Sequence, residues 1–222
     1  MFDLGLDKGI FNYATSAHNG TAILQTSNTW EIQRADKLFE GRVIIATITH
    51  KREKLRLVNL YTPAHPQQRQ TFFNDLAHTL LLDTDKQNFI LAGDFNVTLE
   101  DRDIVGQRGD RQYGRKELEH IVSTLDLQDA YRRIQPDNYS FTYRHRHLAR
   151  TSRIDRFYIP RNIKISAITH MEHTLTYTDH KGVYIKLGDR QKIGKTPHWK
   201  FNDRLLEDQQ FLESCLTKHT AH

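Results

Sequence analysis

Apolar runs of strand length alternate along this chain with two stretches of helical spacing. Arg42 to His50 and Leu55 to Tyr61 are β-rich, and the charged Lys51-Arg52-Glu53-Lys54 between them reads as a hairpin turn. Pro66 opens a helical stretch in which Phe72, Phe73, Leu76 and Leu80 share one face. The run Asn88-Phe89-Ile90-Leu91-Ala92 follows as a buried strand, then a polar, arginine-rich loop from Asp101 to Arg115. A second amphipathic helix runs through Leu118, Ile121, Val122 and Leu125. Short strands are expected around Tyr139 to Thr142, Ile154 to Ile159, Ile165 to Met171 and Val183 to Leu187. Helices interleaved with mostly antiparallel strands predict an α/β (α+β) fold, with two sheets face to face and helices outside.

Beyond Leu187 the pattern changes. Gly188 to Pro197 is a charged linker, and a helix is expected from Leu205 to Leu216. Residues 1–188 are therefore read as the domain, and 189–222 as linker and C-terminal helix. No apolar stretch has membrane-spanning length, so no membrane partner is expected. The single Cys215 excludes a disulfide framework and fits a reducing, intracellular compartment. A net charge of +5 favours polyanionic partners, although many basic proteins bind no nucleic acid.

Three acidic motifs carry the candidate chemistry: Gly93-Asp94-Phe95-Asn96, Ser152-Arg153-Ile154-Asp155-Arg156 and Thr178-Asp179-His180. Each adjoins a predicted strand, so each carboxylate is held by a rigid sheet while facing an open end. Such a set could hold a hard divalent cation and orient water against a phosphodiester. Asp94 and Asn96 flank Phe95, and continuing the strand would point both the same way. Asp155 could instead form a surface ion pair with Arg153 or Arg156, and His180 could be a satisfied half-buried histidine. His170 and His173 read as surface strand residues.

The order of these motifs, with Val58-Asn59-Leu60-Tyr61-Thr62-Pro63 before them, resembles the endonuclease/exonuclease/phosphatase superfamily. Within it the chain is similar to the endonuclease domains of non-long-terminal-repeat retrotransposons. The resemblance implies a four-layer DNase I-like sandwich of two mostly antiparallel sheets flanked by helices. It implies catalytic roles for Tyr61, Asp94, Asn96, Asp155 and His180, with Asp155 orienting the His180 ring. Asp94 and Asp179 would hold the metal, Mg2+ with Mn2+ as the second candidate. Ser140, or Thr142 in its place, together with Arg144, Arg146 and Arg150, would contact DNA. A reverse transcriptase domain would be the partner in the intact element, with a nuclear location if that element is eukaryotic.

The family also begins with a strand carrying an active-site Asn, then a helix and a strand carrying a metal-binding Glu. Neither motif has a counterpart here, because Met1-Phe2-Asp3-Leu4 lies near where the third strand would begin. The expectation is a domain lacking the first strand and helix, with little or no nuclease activity. The competing readings are a non-catalytic fragment that binds DNA weakly, and a phosphoesterase of the same fold acting on lipid or nucleotide phosphates.

Overall fold

The computed structural model describes residues 8–14, 20–51, 53–83, 88–106, 109–145, 147, 149–171 and 178–188, all within one compact unit, Met1–Arg190. The expected linker and helix over 189–222, and the residues Arg146 and His173, lie outside the described residues.

In chain order the strands are β1 (Gly9–Tyr13), β2 (Gly20–Leu24), β3 (Glu31–Leu38), β4 (Val43–His50) and β5 (Glu53–Tyr61). After the helix α1 (Pro66–Leu82) come β6 (Phe89–Asp94), β7 (Ile104–Val105), α2 (Arg115–Thr124), β8 (Leu127–Asp129) and α3 (Ala130–Ile134). The last strands are β9 (Tyr143–Arg144), β10 (Thr151–Ser152), β11 (Asp155–Pro160), β12 (Ile165–Met171) and β13 (Gly182–Leu187). Six of them form one sheet in the order β3-β4-β5-β6-β11-β8. Its only parallel pair is β5 with β6. That pair is the one joined by a helix, as a parallel connection requires a crossover.

The sheet is buried on both faces, and residue parity decides which face. Val58, Leu60, Phe89, Leu91 and Tyr158 pack with Phe73 and Leu76 of α1 and Leu118 and Ile121 of α2. The opposite parity, including Leu55, Ile90 and Ile159, packs with Tyr131 of α3 and Ile165 and Ile168 of β12. Burying an aliphatic or aromatic side chain stabilises the fold by roughly 1.5–3 kcal/mol, so these two clusters account for the sheet's cohesion. Outside this sheet the described strands form two separate hairpins, β1-β2 and β12-β13, and a small three-stranded sheet, β7-β10-β9, and not one continuous second sheet.

Four local expectations are corrected. The hairpin between β4 and β5 is tighter than the four-residue turn expected, since Glu53 and Lys54 already pair with His50 and Thr49. No strand covers Tyr139 to Thr142; pairing begins at Tyr143, opposite Ser152. The loop over Asp101 to Arg115 is more ordered than its polarity suggests, with 3-10 turns at Asp101–Asp103 and Gly109–Gln112 and β7 between them. His170 is no surface residue. Its ring stacks on Tyr131 at 4.2 Å and its Nδ1 lies 2.7 Å from the Ser140 hydroxyl.

Candidate active site

Strand register assembles the centre. Tyr61 at the end of β5 pairs with Asp94 at the end of β6, and Asp94 pairs across the sheet with Asp155 at the start of β11. Direct register partners project to the same side of a sheet, so these three side chains stand in a row. Like charges directly opposite one another destabilise a sheet, and here two carboxylates occupy such a pair. Gly93 lets β6 come this close to β5. Its φ is +134°, and a Cβ there would lie 1.9 Å from the Leu60 carbonyl oxygen.

His180 enters from the other layer, where a bridge joins it to Tyr143. Its Nδ1 lies 2.9 Å from Asp155 Oδ2, which fixes the ring and leaves Nε2 for a further partner. Burial opposes the charged ring, but the Asp155 hydrogen bond and charge, with Asp94 and Asp179 behind, hold its pKa above the ordinary histidine value. The Asp94 carboxyl is pushed up to about 6 by burial and then by Asp155, against the opposing influence of His180 and the Asn96 amide.

Asn96 reaches Asp94 by a different route from strand alternation. β6 ends at Asp94, and Asn96 has the left-handed φ of 49°. The turn makes Asn96 N–H donate to Asp94 Oδ1 at 2.8 Å, while Asn96 Nδ2 donates to the Thr62 carbonyl and to Asp94 Oδ2. Asn96 Oδ1 accepts from Arg111 Nη1 at 2.5 Å. The amide is buried and holds Asp94 in place.

Asp155 is supported from behind. The fully buried Thr142 accepts the backbone N–H groups of Ile154 and Asp155 at 3.1 and 3.0 Å. Its hydroxyl is therefore engaged by the β11 backbone and is not a free substrate contact. Arg153 and Arg156 do not pair with Asp155 at the surface. Both are buried and converge on Asp103, whose oxygens lie 2.9 and 3.0 Å from Arg153 and 3.5 Å from Arg156. Arg132 adds a third guanidinium on Asp103 Oδ1, and Arg153 also reaches Asp129, the residue whose side chain caps α3.

Tyr61, Asp94, Asn96 and His180 line a cleft of about 330 Å³ together with Arg111 and Arg150. A wider neighbouring cleft of about 720 Å³ takes in Ser140, Arg144, Asp179 and Arg150. Oxygen or nitrogen donors of Asp94, Asp155 and His180 lie within 4.8 Å of one another. Two opposed, half-buried carboxylates suit a hard divalent cation, whose charge would relieve the repulsion that raises Asp94. Asp179 is not in that cluster; it lines the neighbouring cleft, and its backbone carbonyl accepts Arg144 N–H. Ser140 also lies there, with its hydroxyl on His170. Arg144 is exposed and Arg150 half-buried.

A sequence model of the endonuclease/exonuclease/phosphatase family matches residues 5–180. The chain belongs to this family. A curated relative, the transposon TX1 uncharacterized 149 kDa protein of Xenopus laevis, is 29% identical over 211 residues. That match spans 92% of this chain but 16% of the relative's length. Among solved structures, an AP endonuclease from Archaeoglobus fulgidus is similar at a TM-score of 0.68 and 18% identity, covering 79% of this chain and 77% of that one. The AP endonuclease LMAP of Leishmania major is similar at 0.62 and 19% identity, covering 81% of this chain and 70% of its own. The endonuclease domain of TRAS1, a telomere-specific non-LTR retrotransposon, is similar at 0.62 and 13% identity, covering 82% and 81%. These likenesses establish the DNase I-like fold. The family's motif order thus corresponds here to a physical convergence of Tyr61, Asp94, Asn96, Asp155 and His180. Arg69 and Arg111 are among the members of the cleft that sequence patterning left unmarked, because they reach it from a helix and a loop with no motif of their own.

Proposed function

We propose that the cleft is a divalent-cation-dependent centre for phosphodiester hydrolysis and that its substrate is DNA. The observation that carries this reading is the row Tyr61–Asp94–Asp155 with the His180 ring bonded to Asp155. Asp94 and Asp155 would hold the cation, Mg2+ or Mn2+, with His180 beside them. When bound, such an ion supplies Lewis-acid charge to the phosphoryl oxygens. A water attacks phosphorus, one P–O bond forms as the ester P–O bond breaks, the water's proton passes to a carboxylate, and the leaving alkoxide takes a proton from solvent. His180, held by Asp155, presents Nε2 to a phosphoryl oxygen and stabilises charge building there. The Tyr61 phenol donates a further hydrogen bond, and Asn96 keeps Asp94 oriented. With two carboxylates and one histidine as the protein donors among the described residues, slow turnover is expected.

DNA is favoured over a lipid or small phosphate by the basic side chains Arg144 and Arg150 beside the cleft and by the net charge of +5. The likeness to a transposon protein supports a place in a retroelement, with a reverse transcriptase as partner and the nucleus as the working compartment. The test is single-turnover cleavage, with protein in excess, of a labelled DNA duplex in Mg2+ or in EDTA, beside an inositol polyphosphate. Slow nicking of DNA in Mg2+ only is expected. Phosphate release from the inositol polyphosphate alone, or binding of DNA with no cleavage in any metal, would overturn the reading.

A further inference from the structure

Three guanidiniums meet on one side of the cleft, and their carboxylate neighbours do not match them. Arg69 is buried, and its N–H groups donate to the carbonyls of Pro63, Ala64 and Asp110. It clamps the turn after β5 to the loop after β7 through neutral acceptors. Arg111 is 8% exposed; its Nη1 donates to Asn96, and its guanidinium lies 5.1 Å from the Tyr143 ring centre. Its Nε is buried with no hydrogen-bond partner, and the same holds for Arg150 Nε. An unpartnered buried N–H on a cation carries a desolvation penalty, which an anion in the cleft would remove.

The surrounding charges point the same way. Burial, then Arg111, lowers the Arg69 pKa to about 10, and Arg150 adds to the repulsion. The negative groups felt by Arg111 are Asp94 and Asp155, the carboxylates that face the proposed cation. Once those carboxylates serve a cation, Asp110 is left as the carboxylate lining the same 330 Å³ space beside the guanidiniums of Arg69, Arg111 and Arg150, an excess of positive charge. Guanidinium is suited to phosphate because it offers parallel donors in a rigid fork.

We propose that Arg111 and Arg150 form an anion subsite for phosphate oxygens of the nucleic-acid backbone, with Arg69 as the buried residue that positions them. This rests on the reading of the cleft as a phosphodiester site and names what its cationic wall contacts. Arg111 thereby links substrate phosphate to Asn96, and through it to Asp94. Arg69 acts by holding the two loops and touches no substrate.

The test separates this subsite from hydrolysis by leaving metal out. Binding of a short labelled duplex is measured in EDTA across a salt series for the wild type, Arg111→Gln and Arg150→Gln. Each phosphate contact contributes about 0.9 to the salt slope, so each variant is expected to lower the slope by roughly 1 and to weaken binding about tenfold at low salt. Arg34→Gln, on an exposed pair with Asp36 away from the cleft, is expected to leave both quantities unchanged. If Arg111→Gln does not fold, Arg150→Gln and the melting temperature of the wild type in inorganic phosphate carry the test, with a rise expected in phosphate and none in chloride. An unchanged slope in the folded variants, or affinity that falls without any change in slope, overturns the proposal. A slope change in a protein that nicks nothing would leave the subsite standing and remove the hydrolytic reading.

Discussion

Replacing Asp103 by Asn should do more damage than any surface change, although Asp103 touches no substrate. Its carboxylate is buried against Arg132, Arg153 and Arg156; Arg153 also has Asp129 at 2.7 Å and Arg132 has Glu100 at 4.0 Å. Asn keeps the shape and removes the charge, so Arg156 loses its carboxylate and Arg132 and Arg153 each lose one of two. Breaking a buried pair from one side costs about 3–5 kcal/mol, a large part of the roughly 5–15 kcal/mol that keeps a domain folded. For a domain of this size that corresponds to a fall in melting temperature of roughly 6–20 °C. The control is Asp126→Asn, which breaks the exposed 2.8 Å pair with Arg161. That change should cost about 0–1 kcal/mol. Urea and thermal unfolding followed by circular dichroism give both numbers. The acid limb supplies a second readout. Burial alone would raise the Asp103 pKa, but Arg156 and Arg153 outweigh it and hold the value below the ordinary carboxylate range. A depressed folded value stabilises the protein above the unfolded carboxylate pKa, and that stabilisation is lost as pH falls through the folded one. Asp103→Asn should therefore flatten the loss of stability in acid. A loss no larger than that of Asp126→Asn would refute the reasoning.

Gly93→Ala should cost about 2–6 kcal/mol, since the new Cβ would meet the Leu60 carbonyl at 1.9 Å and the φ of +134° disfavours any side chain; a urea midpoint within error of the wild type would contradict this. The half-buried His170, held to about 4 by burial and then by Arg153, should make the protein lose stability as pH falls from about 6.5 toward 4, because the unfolded chain takes up that proton first. His170→Asn should remove that part of the pH dependence, and identical curves for the two proteins would count against it. Asp155→Asn should bring the His180 pKa down from its raised value, measured by NMR titration of the imidazole, and a His180 that titrates unchanged would show that Asp155 does not hold the ring.

The elements around the site were legible because they carry strong local signals. Pro66 at the first turn and the face of Phe72, Phe73, Leu76 and Leu80 announce α1, and the run Phe89–Ala92 announces β6. The motif Gly93-Asp94-Phe95-Asn96 was read correctly as a convergence of Asp94 with Asn96, for a geometric reason that differs. A left-handed residue two positions on, and not strand alternation, brings the amide back to the carboxylate. Periodicity could not disclose the short elements. The strand β8 has three residues, β9 and β10 have two, and α3 has five, too short for a period to show. Nor could it place charges whose partners are distant in the chain. Arg153 and Asp103 are 50 residues apart, and Arg69 and Asp110 are 41 apart. Such contacts are fixed only when the sheet closes, so the sequence leaves a surface pair with Asp155 open as an alternative for Arg153 and marks Arg111 as one more basic loop residue.

The central claim is that Asp94, Asp155 and His180 form a cation-dependent hydrolytic centre for DNA. Nicking of supercoiled plasmid under single-turnover conditions tests it most directly, with the wild type, Asp94→Ala and His180→Ala compared at equal folded concentration. Slow nicking by the wild type is expected in Mg2+, none in EDTA, and a loss on the order of 10²-fold or more in each variant. Nicking that survives Asp94→Ala or proceeds in EDTA would contradict the account, and so would a folded wild type that binds plasmid in Mg2+ and leaves it intact.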